Sequence, residues 1–148
     1  MNNKKKSYII EKDFIHSGLR CIVTFNNQGY RAGYVGVKNN NTFYGRYYDD
    51  DDVKSVLPCH GGLSYSSKNF KSNYPIESDL WWFGFDCMHF EDDPDYKLAA
   101  QIFPEMKEYL MFIHQELDDS NSNEEIRTVD YVMDECKKLA EILSNYNN

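Results

Sequence analysis

The hydrophobic pattern of this chain changes period along its length, and that change restricts the fold class more than any other feature. Up to residue 87, apolar residues come in short runs of β-branched and aromatic side chains separated by turn residues, as strands require. Leu19 to Phe25 and Tyr30 to Val37 flank Asn26-Asn27-Gln28-Gly29 and predict a β-hairpin. Thr42 to Tyr48 reads as a further strand or a tyrosine-rich loop, Val53 to Leu57 and Leu63 to Ser66 as weaker strands, and Leu80 to Cys87 as the strongest. Beyond residue 100 the spacing becomes three or four. Met106, Tyr109, Leu110, Ile113 and Leu117 mark one helical face, with Pro104 suited to the first turn. After a polar break at Asp118 to Asn123, Val129, Val132, Met133, Cys136, Leu139, Ala140 and Leu143 mark a second stripe, with Ser122 and Glu125 as its capping box. The expected fold is α+β: a mainly antiparallel β-sheet from the first two-thirds, packed by two C-terminal helices. We expect one domain over residues 1–148, with residues 1–7 as a flexible tail.

Composition narrows the classes of function. Hydrophobic residues make up 41% and aromatics 16%, enough apolar surface for a packed core and too much for a disordered chain. Sixteen basic against 24 acidic residues give a net charge of -8, which disfavours direct binding to nucleic acid or to anionic lipid. The basic start of the chain meets Glu11, Lys12 and Asp13 before an apolar stretch of signal-peptide length, and no run of about 18 uncharged apolar residues follows. We therefore expect a cytoplasmic protein, not integral to a membrane, with Cys21, Cys59, Cys87 and Cys136 as free thiols. Asp49 to Asp52 must be exposed, because four adjacent carboxylates cannot share a buried site, and they lack the spacing of a calcium loop.

Two short stretches carry the candidate chemistry. In an extended run from Trp81, the side chains of Trp81, Phe83, Phe85 and Cys87 point one way, as core. Trp82, Gly84 and Asp86 point the other way, where Gly84 leaves room between an indole and a carboxylate for a ligand. The same alternation from His60 groups His60, Gly62, Ser64 and Ser66 against Gly61, Leu63 and Tyr65. If the two strands share a sheet, their polar faces coincide, and His60, Gly61, Gly62, Ser64, Trp82, Gly84, Asp86 and His89 become a ligand-binding set. Trp82 would stack on a base or sugar, although core packing is the commoner fate of a tryptophan. His89 and the acidic loop Glu91, Asp92, Asp93 and Asp95 offer hard ligands, so Asp86, His89 and Asp92 are candidates for a divalent metal. His60, Asp86 and His89 are the candidates for acid-base catalysis.

Simpler readings stand beside these. A histidine next to a glycine pair is as often a turn residue, and Gly61-Gly62 lacks the spacing of a phosphate loop. Cys59, His60, Cys87 and His89 match no standard zinc spacing, since adjacent Cys59 and His60 would point to opposite sides of a strand. Ser64 and Ser66 lack a hydrolase elbow.

The stretches His60-Gly61-Gly62-Leu63-Ser64-Tyr65-Ser66 and Trp81-Trp82-Phe83-Gly84-Phe85-Asp86-Cys87-Met88-His89 resemble a family of small, functionally uncharacterised proteins encoded by phages and prophages. Tyr34-Val35-Gly36-Val37, Tyr44-Gly45 and the segment from Asp130 to Leu139 resemble the rest of its pattern, with Glu91 standing where that pattern has glycine. The resemblance implies that His60, Gly61, Gly62, Asp86 and His89 are signature residues, with Asp92 at a further acidic position. It also implies a viral context inside a bacterial host cell. Three functional readings follow. The first is a phage-type accessory protein that binds a small polar, nucleotide-derived ligand and counters host defence by sequestration. The second is a metal-assisted hydrolase acting on a nucleotide-like substrate. The third is an acidic inhibitor of a basic host nuclease, a host defence protein being its partner. Each is compatible with a homo-oligomer.

Overall fold

The computed structural model describes residues 7–68, 70, 79–117 and 125–148, without the side chains of 115–117. The expected tail before Ser7, most of the connection from Ser67 to Asp79, and Ser122 of the capping box lie outside the described residues.

Five strands form one antiparallel sheet: β1 (Tyr8–His16), β2 (Leu19–Asn26), β3 (Arg31–Val37), β4 (Tyr65–Ser67) and β5 (Trp81–Asp86). Their spatial order is β1-β2-β3-β5-β4. The hairpin of β2 and β3 falls where the sequence places it, closed by Asn26, whose Oδ1 accepts from the backbone N–H groups of Gln28 and Tyr30. Beyond the sheet come α1 (Asp51–Val56), α2 (Tyr96–Ile102), α3 (Lys107–Leu117) and α4 (Val129–Ser144). A two-residue parallel pair, β6 (Asp92–Asp93) with β7 (Glu125–Ile126), joins the acidic loop to the approach of α4.

α4 carries the apolar stripe that its sequence predicts, and Val132, Cys136, Leu139, Ala140 and Leu143 are all buried. They pack on Cys21, Val23, Val35, Val37, Phe83 and Phe85, one face of the sheet. Its N-cap is Thr128, whose hydroxyl accepts from Tyr131 N, and Glu125 belongs to β7, so the helix starts later than the Ser122–Glu125 pairing implies. The first of the two predicted helices, α3, packs elsewhere. Its Leu110 joins Ala99 and Phe103 around Phe25 at one end of the sheet, while Tyr109, Met111 and Phe112 are exposed.

Two local predictions are corrected. Val53 to Leu57 is largely helix, because Asp51 and Asp52 sit in the first turn of α1, where a helix N-terminus favours negative charge. The second face of the sheet is also core: Ile22, Tyr34, Leu80 and Trp82 cluster there with Phe70. Trp82 is fully buried, and its Nε1 has no hydrogen-bond partner among the described residues. The alternation predicted from Trp81 is present, but it separates two cores and not a core from a ligand notch. Gly84 is the reason the second core closes: a Cβ there would lie 2.6 Å from Tyr34 Cδ1, so the space the glycine leaves is filled by the tyrosine ring.

Candidate functional site

His60 sits in the turn that follows α1, closed by a hydrogen bond from Gly62 N to Cys59 O. Gly61 and Gly62 both have positive φ, 68° and 83°, so the segment from His60 turns instead of extending. This breaks the predicted alternation of His60, Gly62, Ser64 and Ser66, and β4 begins only at Tyr65. The turn nevertheless brings the two motifs together. Ser64 N donates to Gly84 O, Ser64 Oγ donates to Asp86 Oδ2, and Tyr65 pairs with Gly84 across the sheet. The ring of His89 lies directly over Gly61, where any Cβ would overlap its Nε2.

The residues divide into an inner and an outer layer. The inner layer is built around Asp92, whose side chain is 1% exposed. Both of its oxygens lie 2.9 Å from His60 Nε2, Oδ1 also accepts from Arg127 Nε at 2.9 Å, and Oδ2 accepts from His89 N at 3.0 Å. Burial alone would push the Asp92 carboxyl up. The hydrogen bonds from His60, the His89 amide and Arg127 together outweigh it and hold the group below its ordinary value. An ionised Asp92 accepts from a protonated His60 Nε2, which leaves Nδ1 to accept from the Tyr131 hydroxyl at 2.8 Å. Burial, and then the charge of Glu135, raise the Tyr131 phenol and keep its proton in place. The Arg127 guanidinium also lies over the Tyr131 ring, 5.0 Å from its centroid, and donates to Glu125.

The outer layer is Ser64, Asp86 and His89. Asp86 and His89 are 35% and 42% exposed, with Nε2 of the imidazole 3.5 Å from Asp86 Oδ1. The two layers touch where the His60 and His89 rings approach, their centroids 5.8 Å apart. His89 therefore meets both Asp86 and His60, through the glycine turn and not through the coincident strand faces that the sequence reading required. Trp82 and Gly84 do not join them; they are core, for the packing reasons given above.

The metal-ligating possibilities are regrouped. Among the described residues, one donor atom each from His60, Cys87 and Asp92 lie within 4.8 Å of one another. Of the predicted trio of Asp86, His89 and Asp92, only Asp92 belongs to this group. Cys87 is buried at the end of β5, its thiol pushed up to about 12 by burial first and then by the charges of Asp92 and Asp86. Cys59 is outside this group; together with Pro58 and His60 it lines an open groove of about 610 Å³ against Glu135, Lys138 and Glu141 of α4 and the C-cap residue Asn145.

Sequence reasoning missed Tyr131 and Arg127 and assigned Cys87 wholly to core. Arg127 and Tyr131 flank the Thr128 cap four residues apart, a spacing that puts both on one side of the first turn of α4. That signal was present, but nothing local says which loop they meet. Comparison with known proteins gives no matching family model, no matching curated protein and no matching solved structure.

Proposed function

We propose that this chain is a phage-type accessory protein that captures a small polar ligand in the groove between the Pro58–His60 turn and α4. The observation that carries the reading is the groove, which is of small-molecule size and is lined by a residue of the His60 motif. With Trp82 buried, recognition is polar and not by stacking. His60 forms the inner wall, its two ring nitrogens already engaged, and Glu135, Lys138 and Asn145 supply the polar contacts. Two carboxylates, Glu135 and Glu141, stand against the one ammonium of Lys138 in the lining. That balance favours a ligand rich in hydrogen-bond donors and poor in negative charge, such as a nucleoside or base derivative, over a polyphosphate. Sequestering such a molecule inside an infected bacterium would counter a host defence that signals with it.

A second reading, a metal-assisted hydrolase acting on the same ligand, is favoured by the nearness of His60, Cys87 and Asp92, which a divalent ion could bridge. The acidic-inhibitor reading loses support. Three carboxylates of the Asp49 to Asp52 run are paired, Asp50 and Asp52 with Arg46 and Asp49 with Lys54.

Thermal-shift and calorimetric titration of the full chain against nucleosides, nucleotides and polar metabolites tests the proposal. The expected ligand is released unchanged when the protein is denatured, as read by mass spectrometry. Glu135→Lys, which removes an acceptor carboxylate from the lining, should weaken its binding about tenfold or more, the order of a lost charge-assisted hydrogen bond. Conversion of the ligand, with or without added divalent metal, would replace the binding reading by the hydrolase. Binding indifferent to Glu135→Lys would remove the groove from the account.

A further inference from the structure

We propose that His60, Cys87 and Asp92 are the three protein ligands of a single zinc-class ion. Such an ion is the metal centre that the hydrolase reading needs, but it stands on the geometry of these residues and not on turnover.

The three donors come from separate parts of the chain: the turn after α1, the end of β5, and β6. Their donor atoms nevertheless lie within 4.8 Å of one another, a separation that small side-chain movements close onto one ion. Asp92 and Cys87 are buried, with the Asp92 side chain 1% exposed, and His60 is half-buried, its side chain 12% exposed. Acidic groups often gather on surfaces for want of anything better than water. A thiol, an imidazole and a carboxylate drawn together beneath the surface are not explained that way.

The surroundings hold these ligands as metal sites require. The Tyr131 hydroxyl fixes the His60 ring through Nδ1, which turns Nε2 toward Asp92. Arg127 and the His89 amide each hold one carboxylate oxygen, and the lone pairs that face His60 Nε2 become free for an ion once that nitrogen gives up its proton. The donor set selects the metal. A sulfur and a nitrogen beside one oxygen suit zinc and poorly suit magnesium or calcium, which take oxygen ligands. Three protein ligands leave one tetrahedral position for water, the pattern of a catalytic and not a structural zinc.

On uptake the ion forms bonds to Cys87 Sγ, His60 Nε2 and an Asp92 oxygen. The Cys87 S–H bond breaks and its proton leaves to solvent. His60 changes tautomer, carrying its proton on Nδ1 and donating to Tyr131 Oη. The charges of the thiolate and of Asp92 then offset the two charges of the ion.

Metal analysis of the purified full chain, before and after dialysis against zinc or magnesium, is the first test. The expected result is one zinc per chain and no magnesium. Replacement by cobalt should give a thiolate-to-metal charge-transfer band that disappears in Cys87→Ser and persists in Cys21→Ala. Tyr131→Phe, which keeps the ring and the fold, should weaken zinc binding by about 10- to 100-fold, as loss of a group orienting a ligand does. Failure to take up zinc, a cobalt complex without the thiolate band, or equal zinc affinity in Cys87→Ser each overturns the site. Stoichiometric zinc with no conversion of any compound defeats the hydrolase reading alone. Conversion that survives complete chelation likewise defeats only the metal-assisted reading, and the uptake measurements alone decide the site.

Discussion

Gly61 illustrates how one residue type can join two distant motifs. Its φ of 68° lies in the left-handed region, and the ring of His89 occupies the space a side chain would need. Gly62, with φ of 83°, shares the backbone requirement, but a Cβ added there would meet nothing within 4 Å. The pair therefore separates strain from packing. Gly62→Ala should cost about 1 to 2 kcal/mol for a left-handed L-residue. Gly61→Ala should cost that and also displace His89 from Asp86, visible in chemical denaturation and in the chemical shifts of the His89 ring by NMR. Equal stability loss and an unchanged His89 ring in both variants would show that His89 does not rest on Gly61. The glycine pair is legible in sequence as a sharp turn. Its partner is not, because His89 lies 28 positions further on and only the pairing of β4 with β5 brings the two together. Trp82 fails for the opposite reason. Period-two alternation tells which side chains share a face, but not whether that face meets solvent or a second core.

At the scale of elements, β1 shows why half-polar edge strands escape pattern reading. Glu11, Lys12 and Asp13 interrupt its apolar residues, and the ladder to β2 shifts register between Ile10 and Lys12. What secures the strand is a nearly buried ion pair. Arg31 of β3 donates through Nε to Glu11 Oε1 at 2.6 Å and through Nη2 to Oε2 at 3.2 Å, with the two side chains 6% and 15% exposed. Its Nη1 also donates to the carbonyl of Arg127, so the same guanidinium steadies the segment that presents Arg127 to Asp92. Glu11→Ala should cost about 3 to 5 kcal/mol, since it strands a buried charge, whereas Glu11→Leu combined with Arg31→Met should cost less than either single change. Urea denaturation of the four proteins forms the double-mutant cycle, and strictly additive losses would rule out the coupling. α4 and the β2–β3 hairpin were legible because each carries its periodicity within one continuous segment. α2 and β6 were not, being too short for a period and defined by what they touch.

For the whole molecule, the groups that folding shifts set opposite limits in acid and in alkali. Asp92 has its carboxyl held low, so the folded state binds fewer protons there than the unfolded chain, and the stability it contributes is present above the ordinary carboxylate value of about 4. That contribution is lost as pH falls through its lowered value. The thiols act in the other direction. Burial raises Cys21, Cys59 and Cys87 from the ordinary value of 9.0 to about 12, and it also raises Cys136 well above 9.0. Between those values the unfolded chain gives up thiol protons that the folded chain keeps, so stability falls as pH rises above 9.0. Equilibrium denaturation of the metal-free protein across pH should therefore show a plateau at neutral pH and a decline beginning near the ordinary thiol value. Replacing Cys59, the one thiol of the four that is only partly buried, by Ser should shallow that alkaline slope by about one proton's worth, 1.4 kcal/mol per pH unit. The same burial predicts that iodoacetamide at pH 8 modifies the native thiols far more slowly than the denatured ones. A slope unchanged in Cys59→Ser, together with rapid labelling of the native protein, would mean that the thiols ionise freely in the folded state and that the packing between the Cys59 turn and α4 is looser than the structure places it.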